Sequence, residues 1–311
     1  RDFATTVAVE EHNIIADASK TNHPQQLQRE FTRIIRPYYE KQRPVVIRGA
    51  VETAPATLWW SSWQYWEDTF KDDDDDDEPT MVAVEMGGSY GSEQSERAEI
   101  PLLPYLQYLQ LFEERHGRTG EYSKEAIAKL HRSPIPSNEL VYMAQNDLMQ
   151  PLYKDIIIPE FCQSNNTDGE EESTSLGLGH LYSVMIWLGP RSCLSPLHFD
   201  PLDNCLMQHV GRKRVLLYEP SSSSSSSTSM GWHYAGHDGQ QNNTSPVNPE
   251  LLDVEDDVHS EMRQRYPLFF QDSPPRMECS LSPGDLLYIP ARWWHHVRSI
   301  DTSASVNVWW R

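Results

Sequence analysis

The sequence predicts a mainly β fold, a barrel or jelly roll, preceded by an N-terminal region of helices and strands. From Leu181 onward the chain consists of short β-prone runs separated by Gly, Pro and Ser, a pattern typical of antiparallel barrels and sandwiches. With 311 residues and 38% hydrophobic content, it is long enough to bury a sizeable core. No Gly/Ser linker divides two globular units, so we expect one α+β domain, with a support region at 1–139 and a β core at 140–311.

The N-terminal region alternates helices with short strands. Leu27, Phe31 and Ile34 recur at helical spacing, which predicts an amphipathic helix around them. Runs of alternating or β-prone side chains predict the strands. The expected elements, in order, are a helix over 25–41, a strand over 43–49, a helix over 58–70, a strand over 80–86, a helix over 100–114 and a strand over 140–145.

The β core contains one clear interruption. A low-complexity serine tract over 221–229 predicts a disordered insertion near 221–248. One short helix is expected within 250–266. The last element is a strand over 303–310, which alternates strictly. Its two faces carry Val306, Val308 and Trp310 on one side and Ser305, Asn307 and Trp309 on the other.

Charge and cysteine content narrow the choice of partners. The formal net charge is −20, which repels a phosphate backbone, so nucleic acid is disfavoured and a basic, Arg- or Lys-rich protein segment is favoured. No apolar run reaches the length of a membrane span, so no membrane partner is expected. Four cysteines without a CxxC pair predict free thiols in a reducing compartment, the nucleus or the cytoplasm.

The residues with the clearest chemistry lie in the middle of the β core. His198 and Asp200 are two positions apart, so in an extended strand both side chains point to one face. A lone pair of this kind is most often only hydrogen-bonded. A later Trp-Trp-His-His segment adds imidazoles, and two histidines with one carboxylate are the facial ligand set of non-haem Fe(II). His295 and His296 compete for the third position, and spacing does not choose between them because strand neighbours point oppositely.

Lys213 is the second candidate, inside the run Arg212-Lys213-Arg214. An inward lysine in a barrel is costly unless an anion pairs with it. A dicarboxylate co-substrate with one end on the metal would supply that anion, whereas a zinc site would not call for such a lysine. The alternative is a solvated lysine. We expect the anion-binding role for Lys213 and surface positions for both arginines.

Aromatic and acidic residues complete the candidate site. Tyr142, Trp187 and Trp309 are most simply core aromatics, and in a cavity they would wall a co-substrate and exclude water. Glu85 lies in a predicted strand, where an exposed carboxylate is the commoner case. With Tyr90 five residues on, beyond a Gly-Gly bend, it would instead form a pocket rim suited to a cationic side chain.

Together, these segments resemble the JmjC-domain oxygenases. The matching stretches are Ser195–Asn204, Gly211–Lys213, Leu281–Pro290 leading to Trp294-His295, Ser305–Trp310 and, earlier, Arg43–Gly49, Val84–Gly87 and Tyr142–Gln145. The resemblance covers nearly the whole chain and is nearest to the small JmjC hydroxylases, in particular the arginyl-hydroxylase type long described as a lysine demethylase. The acidic run at 72–78 and the serine tract depart from the family pattern and look like insertions.

The resemblance implies a double-stranded β-helix, a cupin-like jelly roll, that uses Fe(II), 2-oxoglutarate and O₂. It assigns the metal to His198, Asp200 and His295, which also resolves the choice between the adjacent histidines. The other implied roles are contacts to 2-oxoglutarate for Lys213, Tyr142, Ser195 and Asn204, walls of the site for Trp187 and Trp309, and proximity to a substrate arginine for Glu85 and Tyr90.

The expected activity is hydroxylation of a protein side chain, with arginine as the leading target. Histone lysine demethylation would use the same centre. Hydroxylation of a modified tRNA base occurs in a related small JmjC group, but the net charge of −20 argues against it. The non-enzymatic alternative is a jelly-roll protein-binding module with a dead site, and the complete ligand set with Lys213 argues against that.

Overall fold

The computed structural model describes residues 6–13, 24–71, 78–90, 96–163, 175–220, 243–254, 260–271 and 275–311. Within these ranges the strands are β1 (Thr6–Ala8), β2 (Glu10–Asn13), β3 (Val45–Arg48), β4 (Met81–Met86), β5 (Glu96–Pro101), β6 (Val141–Asp147), β7 (Leu181–Gly189), β8 (Leu194–Phe199), β9 (Asp203–Val210), β10 (Lys213–Tyr218), β11 (Arg276–Leu281), β12 (Leu286–Ile289), β13 (Trp294–Ser299) and β14 (Ser303–Trp310).

The helices lie mostly before the β core. They are α1 (Pro24–Lys41), α2 (Pro55–Trp59), α3 (Trp63–Phe70), α4 (Leu102–His116), α5 (Lys124–Arg132), α6 (Ser260–Arg265) and α7 (Pro267–Gln271). In the part of the chain that is described, none of the helices combines the length and the apolarity needed to cross a membrane.

The strands form two sheets. The smaller has the order β1-β11-β10-β13-β8, and the larger has the order β2-β3-β12-β9-β14-β7-β6-β4-β5. All pairings are antiparallel except β1 with β11 and β2 with β3. From β7 to β10, and again from β11 to β14, consecutive strands alternate between the two sheets, as in a jelly roll. The predicted mainly β class with helical flanks is therefore confirmed.

Two apolar layers hold the sheets in place. Between the sheets, Leu206 and Leu287 of the larger sheet pack with Val215 and Leu217 of the smaller one. On the outer face of the larger sheet, the valines and Trp310 of β14 pack with residues of α1 and α3. The predicted alternation of the last strand is thus correct, and its other face points into the space between the sheets.

The helix predicted over 58–70 is in fact two helices. α2 ends at Trp59, and α3 begins at Trp63 after Ser62, whose hydroxyl accepts a hydrogen bond from the Tyr65 amide at 3.4 Å. A serine that caps one helix satisfies backbone donors and so favours a new start over continuation. The break also lets buried Trp60 donate from its indole nitrogen to Asp155 at 2.9 Å.

The sequence patterns do not predict several of the helices and strands that the structure contains. β1 and β2 are exposed on both faces, so they carry no alternation for a pattern to detect. β5 and α5 were not predicted either. β5 follows residues outside the described ranges. α5 begins after Ser123, whose hydroxyl accepts a hydrogen bond from the Ala126 amide at 3.0 Å. The single short helix expected within 250–266 is α6, and it is preceded by a 3₁₀ turn, Pro249–Leu252, and followed by a second short helix, α7.

The last residues of the predicted insertion lie within the described ranges. Residues 221–242 lie outside the described ranges, but the expectation of disorder is wrong for 243–248. The Phe199 amide donates to the Asn243 carbonyl at 3.0 Å, and the Ser245 amide donates to the Leu197 carbonyl at 2.7 Å. These bonds satisfy backbone groups at Leu197 and Phe199 on the edge of β8.

The surface position predicted for Arg214 is also wrong. Arg214 is buried, and its guanidinium donates to Glu278 at 2.8 Å and to Asp253 at 2.7 Å. Because Lys213 points between the sheets, its neighbour must point outward, and residues 249–254 cover that outer face. Arg212, by contrast, is partly exposed and pairs with Asp301 at 2.8 Å.

Glu250 is the centre of this buried ionic network. Its carboxylate is fully buried and accepts two hydrogen bonds from Arg298 Nε, at 2.9 and 2.8 Å, and lies 3.1 Å from His131 Nε2. Burial alone would raise the pKa of Glu250, but Arg298, His131 and His296 hold that pKa well below its usual range. The network ties the segment after the insertion to the outer face of β13.

We expect Glu250→Gln to lower the free energy of unfolding by about 3–5 kcal/mol, because it leaves buried arginines without their counter-charge. The matched change Glu219→Gln removes an exposed partner of Arg43 and should cost less than about 1 kcal/mol. Guanidinium-induced unfolding at neutral pH measures both. Equal costs for the two variants would contradict the role assigned to Glu250.

Candidate metal centre

Three predicted ligands converge at one end of the space between the sheets. His198, Asp200 and His295 each offer a ligand atom, and these atoms all lie within 4.8 Å of one another. The two histidines face each other directly in the β8–β13 register, with ring centroids 4.1 Å apart. Residues almost a hundred positions apart in the chain are thus brought together by strand pairing.

Both imidazoles are oriented in the same way. His198 Nδ1 lies 2.7 Å from the Pro196 carbonyl, and His295 Nδ1 lies 3.0 Å from the Trp293 carbonyl. Since a carbonyl only accepts, each Nδ1 donates a proton to it, and Nε2 is the ring atom directed toward the other ligands. This second contact of the ring is the usual support of a metal-bound histidine.

An irregularity in β8 brings Ser195 to the same cavity as His198. The two residues are three positions apart, which in a regular strand would place them on opposite faces. The pairing with β13 shifts register here, because His295 pairs with His198 whereas Val297 pairs with Ser195. Between these pairs β8 therefore contains one residue more than β13, at the position of Pro196. This bulge lets the side chains of both Ser195 and His198 reach the cavity.

Asp200 lies just beyond β8 and is held from two sides. Its backbone carbonyl accepts from the Arg292 amide at 2.7 Å, which joins the end of β8 to the turn before β13. Its Oδ2 accepts from Trp309 Nε1 at 3.0 Å and lies 3.7 Å from His295 Nε2. The side chain is 21% exposed, so the carboxylate marks the open end of the site.

The structure separates the two adjacent histidines. His295 points toward Asp200, whereas His296 points to the opposite face of β13, with Nε2 3.6 Å from Glu250. Burial and the neighbouring His198 lower the pKa of His295 to about 4, against the opposing effect of Asp200. His295 is therefore neutral near pH 7, the form that binds a metal.

Lys213 lies inside the barrel, 2% exposed. Its Nζ donates to Ser305 Oγ at 2.7 Å, and among the described residues no carboxylate pairs with it. Burial lowers the pKa of the amine to about 7, although Cys193 acts in the opposite direction. A buried amine with a hydroxyl as its hydrogen-bond partner is a position prepared for an external anion.

Most of the predicted site residues line one cavity. They are Tyr142, Trp187, Ser195, His198, Asp200, Asn204, Lys213, His295 and Trp309. Glu85 and Tyr90 lie outside this lining. Glu85 is buried and pairs across β4–β6 with Tyr142, while the Tyr90 ring lies 5.1 Å from that of Trp187 and its hydroxyl bonds Gln145.

Tyr90 connects the two groups of residues. Its pKa is raised, first by burial and also by the carboxylates of Asp200 and Glu85, while Arg97 lowers it. The ring therefore lies within electrostatic range of both the metal end of the cavity and Glu85.

Ser305 and Asn307 belong to the site, although the sequence predicts no functional role for them. Both lie on the inward face of β14 and are buried, and Asn307 lines the cavity and donates to Asn204 Oδ1 at 2.8 Å. The signal was present in the alternation of the last strand, where polar residues occupy the face turned toward the core. An inward polar residue needs a buried partner, and that could have indicated the site.

The chain matches the cupin-like domain family over residues 31–311. It is 29% identical over 276 residues to lysine-specific demethylase 8 of Xenopus tropicalis, covering 88% of this chain and 49% of that protein. It is 26% identical over 281 residues to Jumonji C domain-containing protein 5 of Drosophila melanogaster, covering 88% and 55%. It is 36% identical over 114 residues to tRNA wybutosine-synthesizing protein 5 of Danio rerio, covering 37% and 28%.

The chain belongs to the JmjC group of the cupin-like domain family. It spans about half the length of the first two of these relatives. The donor set fits the iron that the JmjC domain implies, since two imidazoles and one carboxylate on one face leave the opposite face open. The buried amine of Lys213 fits the far carboxylate of a diacid beside that metal.

The two neighbouring histidines provide a matched test of the metal centre. His295→Ala is expected to abolish tight binding of Fe(II) or Co(II), because it removes one of three ligands. His296→Ala should leave the metal dissociation constant within about threefold, because its ring contacts the ionic network on the other face. Anaerobic metal titration followed by absorbance measures both, and equal losses would contradict the assignment.

Proposed function

We propose that this chain is an Fe(II)- and 2-oxoglutarate-dependent oxygenase that hydroxylates a protein side chain, with arginine as the target. The observation that carries the proposal is the buried amine of Lys213, in the same cavity as the cluster of His198, Asp200 and His295. Metal ligands alone would suit several chemistries. A metal cluster together with a buried cation that awaits an anion suits a metal-chelating diacid.

Each residue of the cavity has a definite task in this proposal. Bound Fe(II) would supply the activation of O₂ at the expense of 2-oxoglutarate. His198, Asp200 and His295 hold the metal, and Lys213 holds the far carboxylate of 2-oxoglutarate. Tyr142, Ser195 and Asn204 complete its binding site, and the rings of Trp187 and Trp309 exclude water.

Arginine is proposed as the target because one buried carboxylate, Glu85, lies next to the cavity residue Tyr142 and because the chain as a whole is acidic. Glu85 is buried beside Tyr142, and a carboxylate in that position recognises a guanidinium by paired hydrogen bonds. The net charge of −20 favours approach of a basic segment, with nucleus or cytoplasm as the place of action. The partner we infer is therefore an arginine- or lysine-bearing protein.

Lysine demethylation is the second candidate. It is supported by the likeness to a protein named lysine-specific demethylase 8, and it would place an N-methyl carbon where the first candidate places an arginine carbon. Likeness to tRNA wybutosine-synthesizing protein 5 covers only 37% of the chain. Since the acidic charge disfavours nucleic acid, a tRNA-base hydroxylase is a weaker candidate, and so is a non-catalytic protein-binding module.

A succinate-release assay with Fe(II) and a library of arginine- and lysine-bearing peptides tests the proposal. We expect stimulation by arginine peptides, with mass spectrometry showing the gain of one oxygen. Release of formaldehyde from a methyl-lysine peptide would favour demethylation instead. Glu85→Gln, which keeps the shape but removes the charge, should lower kcat/KM for the arginine peptide by about tenfold or more.

The control for this assay is His198→Ala, which should release no succinate with any peptide. The basal release of succinate without peptide separates the roles further, because Glu85→Gln should leave it intact. Full activity of Glu85→Gln on the arginine peptide would sink the assignment of Glu85. Absence of succinate release from metal-loaded wild-type protein would sink the oxygenase proposal itself.

The pKa of Lys213 predicts how co-substrate affinity depends on pH. The amine must be charged to hold a carboxylate, and burial lowers its pKa to about 7. Above that pH a proton must be taken up on binding, so the 2-oxoglutarate dissociation constant should rise by about tenfold per pH unit between about pH 7 and pH 9. Calorimetric titration of the Mn(II)-loaded protein measures this slope.

Lys213→Arg is the matched variant, because a guanidinium stays charged throughout this range. Its affinity for 2-oxoglutarate is expected to be weaker than that of the wild type, since the fork is larger than the ammonium, but independent of pH. Identical pH profiles in the two proteins would show that Lys213 does not meet the charge of the co-substrate.

A further inference from the structure

The inward face of β14 supports the candidate site at three successive positions. Ser305 Oγ accepts from Lys213 Nζ at 2.7 Å, Asn307 Nδ2 donates to Asn204 Oδ1 at 2.8 Å, and Trp309 Nε1 donates to Asp200 Oδ2 at 3.0 Å. The spacing of two follows from the alternation of a strand. Ser305 and Asn307 have no role of their own in the proposed function, and of these two it is Asn307 that lines the cavity.

The contact between Asn307 and Asn204 is buried. Asn204 is 1% exposed and Asn307 is 6% exposed. Both cross-strand partners of Asn307, Leu206 of β9 and Met185 of β7, are apolar. A buried amide in such a place is costly unless it is hydrogen-bonded, which makes a packing role alone a poor account of it.

The hydrogen bonds of Asn204 have a defined direction. Its Nδ2 donates to Asp200 Oδ2 at 3.5 Å, because the NH₂ group is the donor of an asparagine side chain. Asn204 must therefore turn its NH₂ group toward Asp200 and its carbonyl oxygen away. That oxygen needs a donor, and Asn307 Nδ2 provides it. The same orientation is needed if Asn204 contacts a carboxylate of 2-oxoglutarate.

We propose that Asn307 is a positioning residue that fixes the amide orientation of Asn204 and, through it, the carboxylate of Asp200. The inference rests on the proposed function, since it concerns the residue that would hold the metal. Without a donor at position 307, the carbonyl oxygen of Asn204 loses its hydrogen-bond partner, and the amide is held only by its 3.5 Å contact with Asp200. Asn204 is then less firmly placed, and its hold on Asp200, a proposed metal ligand, is weakened.

The test is a Co(II) titration of the full 311-residue chain, followed by the visible absorption bands of the bound ion. Asn307→Leu keeps the volume but removes the donor, and we expect its Co(II) dissociation constant to rise by about tenfold. Asn307→Asp keeps the shape but faces the carbonyl oxygen with a charge, and should weaken binding at least as much. The positions of the absorption bands should shift in both variants.

Two controls separate positioning from a general loss of structure. Asn248→Asp makes the same chemical change at a side chain that only accepts, from the Glu250 amide at 3.0 Å, and should bind Co(II) like the wild type. Thermal unfolding followed by circular dichroism shows whether each variant folds. Should Asn307→Leu unfold, Asn307→Asp carries the same test.

Co(II) affinities of single and double variants distinguish a positioning role of Asn307 from a purely structural one. If Asn307 acts through Asn204, the variant Asn204→Leu/Asn307→Leu binds Co(II) no more weakly than Asn204→Leu alone. Additive losses, or a folded Asn307→Leu protein with wild-type affinity and spectrum, would overturn the inference. Failure of the wild type itself to bind Co(II), with His198→Ala behaving identically, would overturn the proposed function instead.

Discussion

The pairing of β13 with β8 is the constraint on which the site depends. Its register sets His295 directly opposite His198, and the Arg292 amide bonds the carbonyl of Asp200, so both strand ends are held to each other where the third ligand lies. A slip of one residue would turn His295 outward and bring His296 inward. Because His296 and Arg298 bind Glu250 on the outer face, such a slip would also break a buried ionic network. The two faces of β13 therefore enforce the same register.

The buried amine of Lys213 in the barrel interior is the second constraint on the site. Burying Lys213 between two sheets costs free energy that nothing among the described charged residues returns. The cost is lowered by Ser305, and the pKa near 7 shows that the amine is poised between charged and neutral forms. When an anion binds beside the amine, the free-energy cost of burying Lys213 is reduced. That reduction adds to the free energy of binding. This is the physical reason why an inward lysine beside metal ligands is informative about function.

Much of the site could be predicted from the sequence because strand alternation is a strong constraint. His198 and Asp200 share a face, and the polar side of the last strand points inward, as the pattern indicates. What could not be predicted depends on contacts between distant segments. The burial of Arg214 requires the segment around Glu250 to cover β10, and the shared cavity position of Ser195 and His198 requires a register shift. The break at Trp60 arises from a local cap that competes with helix continuation.

The residues that support the metal ligands are harder to predict from the sequence than the ligands themselves. Metal ligands are of a few chemical types, so a histidine or aspartate at the right spacing stands out. Supporting residues such as Ser305 and Asn307 are ordinary polar side chains, and only their burial makes them informative. A carboxylate that accepts but cannot donate imposes a direction on every amide behind it. That direction passes from Asp200 through Asn204 to Asn307, so a hydrogen-bond donor is required two strand positions before Trp309.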